Sequence, residues 1–403
     1  MQLDTEFVRA QFPAFAEPSL RDLAFFENAG GTYACRYVTW RLNRFYKERK
    51  VQPYGPFPVS DLAGREMEEA RDRVARSLGV LPEALCFGPS TSANTYVLSQ
   101  AFREWLPEGS AIIVTNQDHE ANSGPWRRLA ERGIDVREWK MQEDGHLDIT
   151  DLVPLLDGAK LLCFPHASNV VGEVNDVSRI CAIARRADVF TCVDGVSYAP
   201  HGLPNIRKLG CDIYLFSAYK TYGPHQGIMT IRPELGMALP NQGFSFNGDK
   251  LWMRFTPAGP DHAQVAACAG IADYIDALYK HQMKAGRDGT GRAEVVHDMM
   301  QARERSLMAP LIEFFEARRL RVLGPMSTDR APTFALALDQ PAKPIAQALG
   351  RAGVMVGAGD FYAGRALSAL GVDPDHGVLR ASFTHYTSEA EVDRLIQALD
   401  RVL

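Results

Sequence analysis

Lys220 is the residue whose type and position most clearly suit covalent chemistry. It lies in FSAYKTYGPHQG (216–227), just after the apolar run CDIYLF and just before a glycine–proline turn. A buried lysine ammonium loses its hydration, which costs more free energy than its aliphatic stem gains. Lys220 is therefore either an ordinary lysine of a surface loop or an amine held near neutrality so that it can react as a nucleophile.

Other apolar runs also end in polar residues that take part in chemistry in many proteins. Asp194 follows a very apolar run, where a carboxylate must meet a cation or a hydrogen-bond donor. His119 and Asn169 follow two further runs, although a lone histidine in a loop is also a common solvated residue. The segment PSTSANT (89–95) puts hydroxyls before a helical stretch. Such a helix N-terminus binds phosphate, or its hydroxyls only cap the helix.

Together these residue types suit pyridoxal phosphate. A lysine can bond to the aldehyde, an acid can keep the pyridine nitrogen protonated, an imidazole can stack on the ring, and hydroxyls can hold the phosphate. Ser217, which ends the run before Lys220, adds one more hydroxyl for that phosphate. Each residue is ambiguous alone, but their convergence predicts a pyridoxal-phosphate site.

Short apolar runs alternate with amphipathic stretches through the middle of the chain. The runs are LCFG (85–88), AIIVT (111–115), KLLCFPH (160–166), VFTCVD (189–194), DIYLFS (212–217) and GIMTI (227–231). A stretch between them, SRICAIARRA (178–187), has apolar residues at helical spacing. This alternation predicts an α/β fold with a parallel sheet covered by helices on both faces. Ligands of such sheets bind at the carboxyl ends of the strands.

The pattern changes after a Pro/Gly cluster, TPAGPDH (256–262). We predict a long helical region to about residue 319, followed by strands near RVLG, PTFALALD, VMVGAG and GVLRASF and a final helix, SEAEVDRLIQAL. The predicted division is an N-terminal arm at 1–24 that packs on the small domain, a large cofactor-binding domain at 25–260, and a helical connection with a small C-terminal α+β domain at 261–403.

Composition excludes several classes of function. The 403 residues are 46% hydrophobic and 23% charged, as in an ordinary soluble protein, and the net charge of −5 supplies no basic field for nucleic acid. No apolar run approaches a membrane span, and the N-terminus lacks the apolar part of a signal peptide. Seven cysteines without a CxxC pair predict free thiols in a reducing cytoplasm. The histidines lack the spacing of metal ligands, so no metal is expected.

The order of the motifs HEAN, SNVVG, VDG and SAYKTYGP resembles the class V aminotransferase superfamily of fold-type I pyridoxal-phosphate enzymes, and within it the cysteine desulfurase and selenocysteine lyase branch. FFENAGGTYACRYV (25–38) resembles the LDNAA segment of that branch, and LRASFTHYTSEAEVDRL (379–395) resembles its carboxylate-binding end. The resemblance covers nearly the whole chain. It implies a large domain with a mainly parallel, doubly wound sheet, a smaller C-terminal α+β domain, and a homodimer with shared active sites.

The resemblance also implies roles for individual residues toward the cofactor. Lys220 is expected to bond to the aldehyde, Asp194 to pair with the pyridine nitrogen, and His119 to stack on the ring. Asn169 matches the residue that binds the phenolic oxygen. The remaining implied cofactor contacts are Thr91, Ser92, Ser197 and Ser217.

Toward an amino-acid substrate, the resemblance implies a second set of residues. Arg380 matches the arginine that binds the substrate carboxylate, for which a bidentate guanidinium is suited. A structural arginine in a salt bridge is the alternative for this position. The backbone of Ala29 and Gly30 is expected beside the carboxylate, and Tyr362 is expected at an aromatic mouth of the site.

The sequence departs from the branch at several of these positions. Ser197 replaces its usual glutamine, and Tyr219 replaces a frequent histidine before the lysine. In TPAGPDH, the loop that in the branch sends a hydroxyl to the phosphate of the partner subunit, the corresponding residue is Gly259, which offers only backbone.

The largest departure concerns the desulfurase nucleophile. Its loop corresponds to VGAGDFYAGRAL (356–367), where the cysteine position falls at or near Tyr362, and no cysteine follows Cys268. Without that thiol, this segment cannot carry a persulfide. Cys35 could be a substitute thiol, but a cysteine packed among apolar residues is the expected role.

We therefore predict a pyridoxal-phosphate enzyme acting on an α-amino acid, with cysteine desulfurase-like lyase chemistry at Cβ that needs no persulfide cysteine. Transamination as in a class V aminotransferase, and epimerisation or racemisation, remain open because a fold alone does not choose the reaction. A non-catalytic protein that retains the fold is the alternative from a different class.

Overall fold

The computed structural model describes residues 3–283 and 289–403. Within them the strands are β1 (Ala24–Phe26), β2 (Leu85–Gly88), β3 (Ala111–Thr115), β4 (Asp135–Trp139), β5 (Ala159–Pro165), β6 (Phe190–Asp194), β7 (Ile213–Ser217), β8 (Gly227–Ile231), β9 (Thr333–Leu336), β10 (Val354–Gly359) and β11 (Val378–Ser382).

The α-helices of the same residues are α1 (Thr5–Ala10), α2 (Arg36–Glu48), α3 (Pro58–Leu78), α4 (Thr91–Trp105), α5 (Glu120–Arg127), α6 (Ile149–Leu152), α7 (Val177–Arg186), α8 (Ile206–Leu209), α9 (Pro233–Ala238), α10 (Leu251–Arg254), α11 (His262–Ala267), α12 (Ala269–Gln282), α13 (Gly289–Ala317), α14 (Ala342–Arg351), α15 (Gly364–Ala369) and α16 (Glu389–Val402). The helical region predicted up to about residue 319 includes 284–288, which lie outside the described residues.

A seven-stranded sheet with the order β2-β8-β7-β6-β5-β3-β4 forms the centre of the larger part. Its strands run parallel except β8, which is antiparallel to both β2 and β7. Only the short segment 218–226 joins β7 to β8, and a parallel connection needs a longer crossover. The predicted mainly parallel α/β sheet is confirmed, with this one strand reversed.

The apolar runs are continuous because both faces of the sheet are covered. Successive side chains of a strand point to opposite faces. On β5 and β6, Phe164 and Val193 belong to the core on one face, whereas Cys163 and Cys192 belong to the core on the other. Burial on both faces is what the composition of these runs predicted.

The sequence analysis missed the edge strand β4. Its sequence, DVREW, contains three charged residues, and it pairs with β3 alone. An edge strand has one neighbour and more solvent, so it does not need the apolar run by which the inner strands were recognised.

A second sheet has the order β1-β10-β11-β9. β1, from the N-terminal part of the chain, pairs in parallel with β10, so the chain enters this sheet before it builds the large one. Arg9 of α1 donates to the backbone oxygen of Tyr386 at 3.0 Å and to Glu391 at 2.6 Å. The domain boundaries given above remain a prediction.

The structure also bears on membranes and disulfides. None of the helices within the described residues combines the length and the apolar character that crossing a bilayer requires. All seven cysteines are free thiols.

Truncation of a side chain at the centre of the large sheet is expected to destabilise the protein. Leu215 of β7 is fully buried, and its strand carries the turn of Lys220. We expect Leu215→Ala to lower the free energy of unfolding by about 2–5 kcal/mol, because it removes apolar contacts and leaves a cavity. Urea denaturation followed by circular dichroism measures this change. Leu81, whose side chain is 58% exposed, supplies the control Leu81→Ala, and equal midpoints for the two variants would contradict the expectation.

Candidate active site

The polar residues singled out in the sequence meet at one edge of the large sheet. The parallel strands β3, β5, β6 and β7 end at this edge, and α4 begins there after β2. A pocket at this edge is lined by Thr91, Ser92, His119, Ala121, Pro165, Ala167, Asn169, Asp194, Val196, Ser197, Ser217, Tyr219 and Lys220. The structure thus brings together all the residues expected around the cofactor, except Gly259.

Lys220 ends a short turn that follows β7 and is only 8% exposed. Within the part of the chain that the structure describes, its ammonium forms no ion pair. Burial, together with the positive charge of Arg380, lowers the pKa of Lys220 to about 8, and the charge of Asp194 opposes this shift. A substantial fraction of the amine is consequently neutral and nucleophilic in mildly alkaline solution.

Asp194 is the last residue of β6 and is buried. Its Oδ1 accepts a hydrogen bond of 2.8 Å from the N–H of Val196. Burial raises the pKa of Asp194 to about 6, and that hydrogen bond and the charge of Lys220 only partly offset the effect. A cationic group placed against this carboxylate would stabilise its charged form.

His119 caps the N-terminus of α5 and is held as a neutral imidazole. Its Nδ1 accepts a hydrogen bond of 3.0 Å from the N–H of Ala121, which leaves the ring proton on Nε2. Burial and the positive charges of Lys220 and Arg380 lower the pKa of His119 to about 4. The flat ring therefore stays uncharged at neutral pH and can stack on another flat group.

Hydroxyl groups gather at the N-terminus of α4. Thr91 Oγ1 and Ser217 Oγ are 2.7 Å apart, and Ser90 caps the helix by accepting from the N–H of Ala93. The first-turn N–H groups of Thr91 and Ser92 have no acceptor inside the helix. Hydroxyls, free N–H groups and the helix dipole together form an anion site suited to phosphate.

Asn169 lies on the loop after β5 and has unused hydrogen-bonding capacity. Its Nδ2 donates to the backbone oxygen of Phe361 at 3.0 Å, whereas its Oδ1 is buried and finds no partner within residues 3–283 and 289–403. An amide nitrogen carries two N–H bonds, so one remains for a further acceptor.

Arg380 lies on β11 of the small sheet and does not itself line the pocket, although it contacts Asn169, which does. Its Nη1 donates to the backbone oxygen of Asn169 at 3.2 Å, and its guanidinium lies 3.7 Å from the ring centre of Phe361. Its Nη2 forms an ion pair of 2.6 Å with Glu27. The sequence analysis named Arg380 but missed Glu27. An acid after an apolar strand end, the signal that revealed Asp194, also marks Glu27 in FFEN and could have found it.

The other predicted residues lie outside the pocket lining. The N–H groups of Ala29 and Gly30 have acceptors of their own, Ser382 Oγ at 2.8 Å and Glu27 O at 3.0 Å. The ring of Tyr362 lies 5.3 Å from that of His119 and is 71% exposed. Gly259 lines a separate cavity of about 590 Å³.

No cysteine lines the pocket. Cys35 is fully buried, its Sγ donates to the backbone oxygen of Gly270 at 3.4 Å, and burial raises the pKa of its thiol to about 12. A thiol with this pKa and no exposure is a poor nucleophile at neutral pH. Cys35 therefore lacks the properties of a substitute nucleophile.

Comparison with known proteins assigns the family. A family model described as aminotransferase class-V matches residues 24–279 and 293–395. The chain belongs to the class-V aminotransferase family. Its members are pyridoxal-phosphate-dependent enzymes, as the site residues predicted.

Individual relatives match over nearly their full length. A cysteine desulfurase of Serratia proteamaculans is 30% identical over 423 residues, which cover 100% of this chain and 99% of that protein. The aminotransferase-like protein FGM3 of Gibberella zeae is 28% identical over 416 residues, covering 99% of this chain and 98% of that protein. The apo structure of a cysteine desulfurase from Thermococcus onnurineus superposes with a TM-score of 0.87 at 24% identity, covering 100% and 98% of the two chains. This likeness confirms the predicted fold.

The residues of the pocket fit pyridoxal phosphate because the cofactor would supply interactions that the protein itself does not give them. Asp194 lacks the cation that would restore an ordinary pKa, and a protonated pyridine nitrogen supplies one. Asn169 has a free N–H for a phenolic oxygen, and the α4 N-terminus has donors for a phosphate.

Loss of Lys220 is expected to abolish covalent attachment of the cofactor. After reduction with borohydride, wild-type protein should carry the pyridoxyl mass and Lys220→Ala should not, because the covalent bond requires this amine. Intact-mass spectrometry measures the adduct. Lys160 is exposed on β5, so Lys160→Ala serves as the control that keeps the adduct. A reduced adduct retained in Lys220→Ala would contradict the assignment.

The pH dependence of attachment tests the lowered pKa of Lys220. Only the neutral amine attacks the aldehyde, so the rate of attachment to cofactor-free protein should rise with pH through about 8. Asp194→Asn should move that midpoint downward, since the charge of Asp194 raises the pKa of Lys220. Stopped-flow absorbance gives the rates. A midpoint near that of a solvated lysine, about 10.4, would show that burial does not act on this amine.

Proposed function

We propose that the protein is a pyridoxal-phosphate-dependent lyase that acts on an α-amino acid and breaks a bond at Cβ, such as a C–S bond, without a persulfide cysteine. The observation that carries the proposal is that the pocket contains Lys220, Asp194 and His119 but no thiol. The names of relatives such as the Serratia cysteine desulfurase support a sulfur-containing substrate.

We assign the chemistry of the site to three side chains. When bound, pyridoxal phosphate supplies an electron sink that stabilises negative charge at the substrate Cα. Lys220 Nζ would hold the cofactor and, as a free amine, would take the proton from the substrate Cα, for which its lowered pKa suits it. Asp194 would keep the ring nitrogen of the cofactor protonated, and the neutral ring of His119 would stack on the cofactor.

Other residues of the pocket bind the cofactor and orient it. Thr91, Ser92 and Ser217 hold the phosphate at the N-terminus of α4, and Ser197, which also lines the pocket, is a further cofactor contact. Asn169 donates to the phenolic oxygen of the cofactor.

On the substrate side, Arg380 binds the carboxylate next to the backbone of Ala29 and Gly30. Tyr362 stands at the mouth of the site, and its exposure and its contact with His119 support that position.

A homodimer with shared sites is part of the proposal. The loop that contains Gly259 contributes nothing to the pocket of its own chain, which supports a contribution to the site of a partner. The cavity lined by this loop also has Phe246, which is 79% exposed, and Tyr54, which is 61% exposed. Exposed aromatic side chains grouped in this way are typical of protein–protein interfaces.

An assay of products separates the proposed lyase from its alternatives. With L-cysteine we expect release of sulfide and pyruvate, and we expect both to persist after treatment with iodoacetamide, because no thiol takes part and the pKa of Cys35 is raised to about 12. Spectrophotometric sulfide and pyruvate assays measure the products, and Lys220→Ala is the inactive control.

Each other outcome identifies a different function. Loss of sulfide release after alkylation would contradict a mechanism without a thiol. Conversion of the cofactor to its amine form without sulfide or pyruvate would identify an aminotransferase, and loss of optical activity alone would identify an epimerase or racemase. If L-selenocysteine, cysteine sulfinate, L-alanine and L-aspartate also left the spectrum unchanged, the protein would be a non-catalytic member of the fold.

A further inference from the structure

The carboxylate of Glu27 already binds one nitrogen of the Arg380 guanidinium, which is the group expected to bind the substrate carboxylate. Glu27 Oε1 and Arg380 Nη2 are 2.6 Å apart, and the side chain of Arg380 is 3% exposed. The side chain of Glu27 is 27% exposed, so water reaches that partner, but a charge-assisted hydrogen bond of this length to a buried guanidinium is still among the stronger kinds. A substrate carboxylate must therefore replace Glu27 or share the guanidinium with it.

In the Glu27–Arg380 ion pair, each side chain has hydrogen-bonding capacity that the pair does not use. Glu27 Oε2 and Arg380 Nε are buried and have no hydrogen-bond partner among the residues that the structure describes. A guanidinium can hold a carboxylate through two parallel N–H bonds, and Glu27 uses only one of them. A free carboxylate that approaches with both oxygens can thus offer Arg380 more than Glu27 does, so the contact can be exchanged.

The backbone around Glu27 is anchored, and glycines leave room for its side chain. The N–H of Asn28 donates to the backbone oxygen of Ser382 at 3.3 Å, two residues beyond Arg380 on the same strand. A Cβ at Gly357 would lie 2.5 Å from Glu27 Oε2, and one at Gly30 would lie 2.9 Å from Oε1. The carboxylate thus fills a space that side chains at these two positions would block.

We infer that Glu27 is a built-in competitor for the substrate carboxylate on Arg380, so that the site admits primary amines without an α-carboxylate as well as α-amino acids. An amine without a carboxylate leaves the Glu27–Arg380 pair closed and the guanidinium neutralised. An α-amino acid opens the pair and binds Arg380 in its place. This inference rests on the proposed function, since it takes Arg380 as the carboxylate site.

Calorimetry with propionate tests the competition directly. Propionate has a carboxylate and no amine, so it cannot react with the cofactor, and its affinity for the holoenzyme reports access to Arg380 alone. We expect Glu27→Gln to bind propionate at least about tenfold more tightly than wild type, because a charged hydrogen-bond partner of the guanidinium has been removed. Glu27→Asp, with a carboxylate one methylene further back, should bind with intermediate affinity. If one of the two Glu27 variants fails to fold, the propionate affinity of the other still tests the competition.

Glu173→Gln is the matched control. Glu173 is a half-buried acid on the loop that carries Asn169, and it lies outside the ion pair with Arg380. Its variant removes the same charge and should leave the affinity for propionate unchanged. Equal affinities in wild type and both Glu27 variants, or equal gains from Glu27→Gln and Glu173→Gln, would overturn the inference.

A pair of substrates that differ only by the carboxylate tests the consequence for specificity. Both L-cysteine and cysteamine should change the absorbance of the wild-type cofactor, and Glu27→Gln should raise the preference for L-cysteine over cysteamine at least about tenfold through KM. An unchanged preference would overturn the inference. If neither amine changes the spectrum, the proposed function fails, and the propionate measurement still decides whether Glu27 competes for Arg380.

Discussion

Lys220 and Asp194 are buried at the same edge of the large sheet, where water solvates neither of them fully. Their pKa values shift in opposite directions, down to about 8 for the amine and up to about 6 for the acid, and burial is the main cause of both shifts. Two ionisable groups held in this state are costly unless a ligand completes their interactions. The rest of the site supplies what such a ligand needs, which is a helix N-terminus for an anion and a neutral imidazole for a flat ring.

The small sheet contacts one of the loops that line the pocket. β11 brings Arg380 to the backbone of Asn169, and β1 brings Glu27 to Arg380. Arg380 lies 211 residues from Asn169 and 353 residues from Glu27 along the chain, so these contacts join segments that are distant in sequence. The surroundings of the Arg380 guanidinium thus depend on how the small sheet meets the loops of the large sheet.

The loop of Phe361 and Tyr362 has a strained backbone. Both residues have positive φ angles, 52° and 55°, a conformation that side chains with a Cβ seldom adopt. Hydrogen bonds hold the loop in place, since Phe361 O accepts from Asn169 and Tyr362 O accepts from the N–H of Glu120 at 2.7 Å. Such strain persists only where surrounding contacts maintain it, and here those contacts hold the ring of Tyr362 5.3 Å from that of His119.

The sequence by itself determined the type of sheet and the residues at its carboxyl edge. Inner strands are buried on both faces and must be continuously apolar, so a polar residue at their end is conspicuous, as Lys220 and Asp194 are. The edge strand β4 lacks this signal because fewer neighbours cover it, whereas β1 carries the signal in only three apolar residues, followed by Glu27. Only the tertiary structure decided the partner of Arg380 and the protonation of His119. Both depend on side chains that meet through folding, and no spacing along the chain encodes a contact between residues 27 and 380.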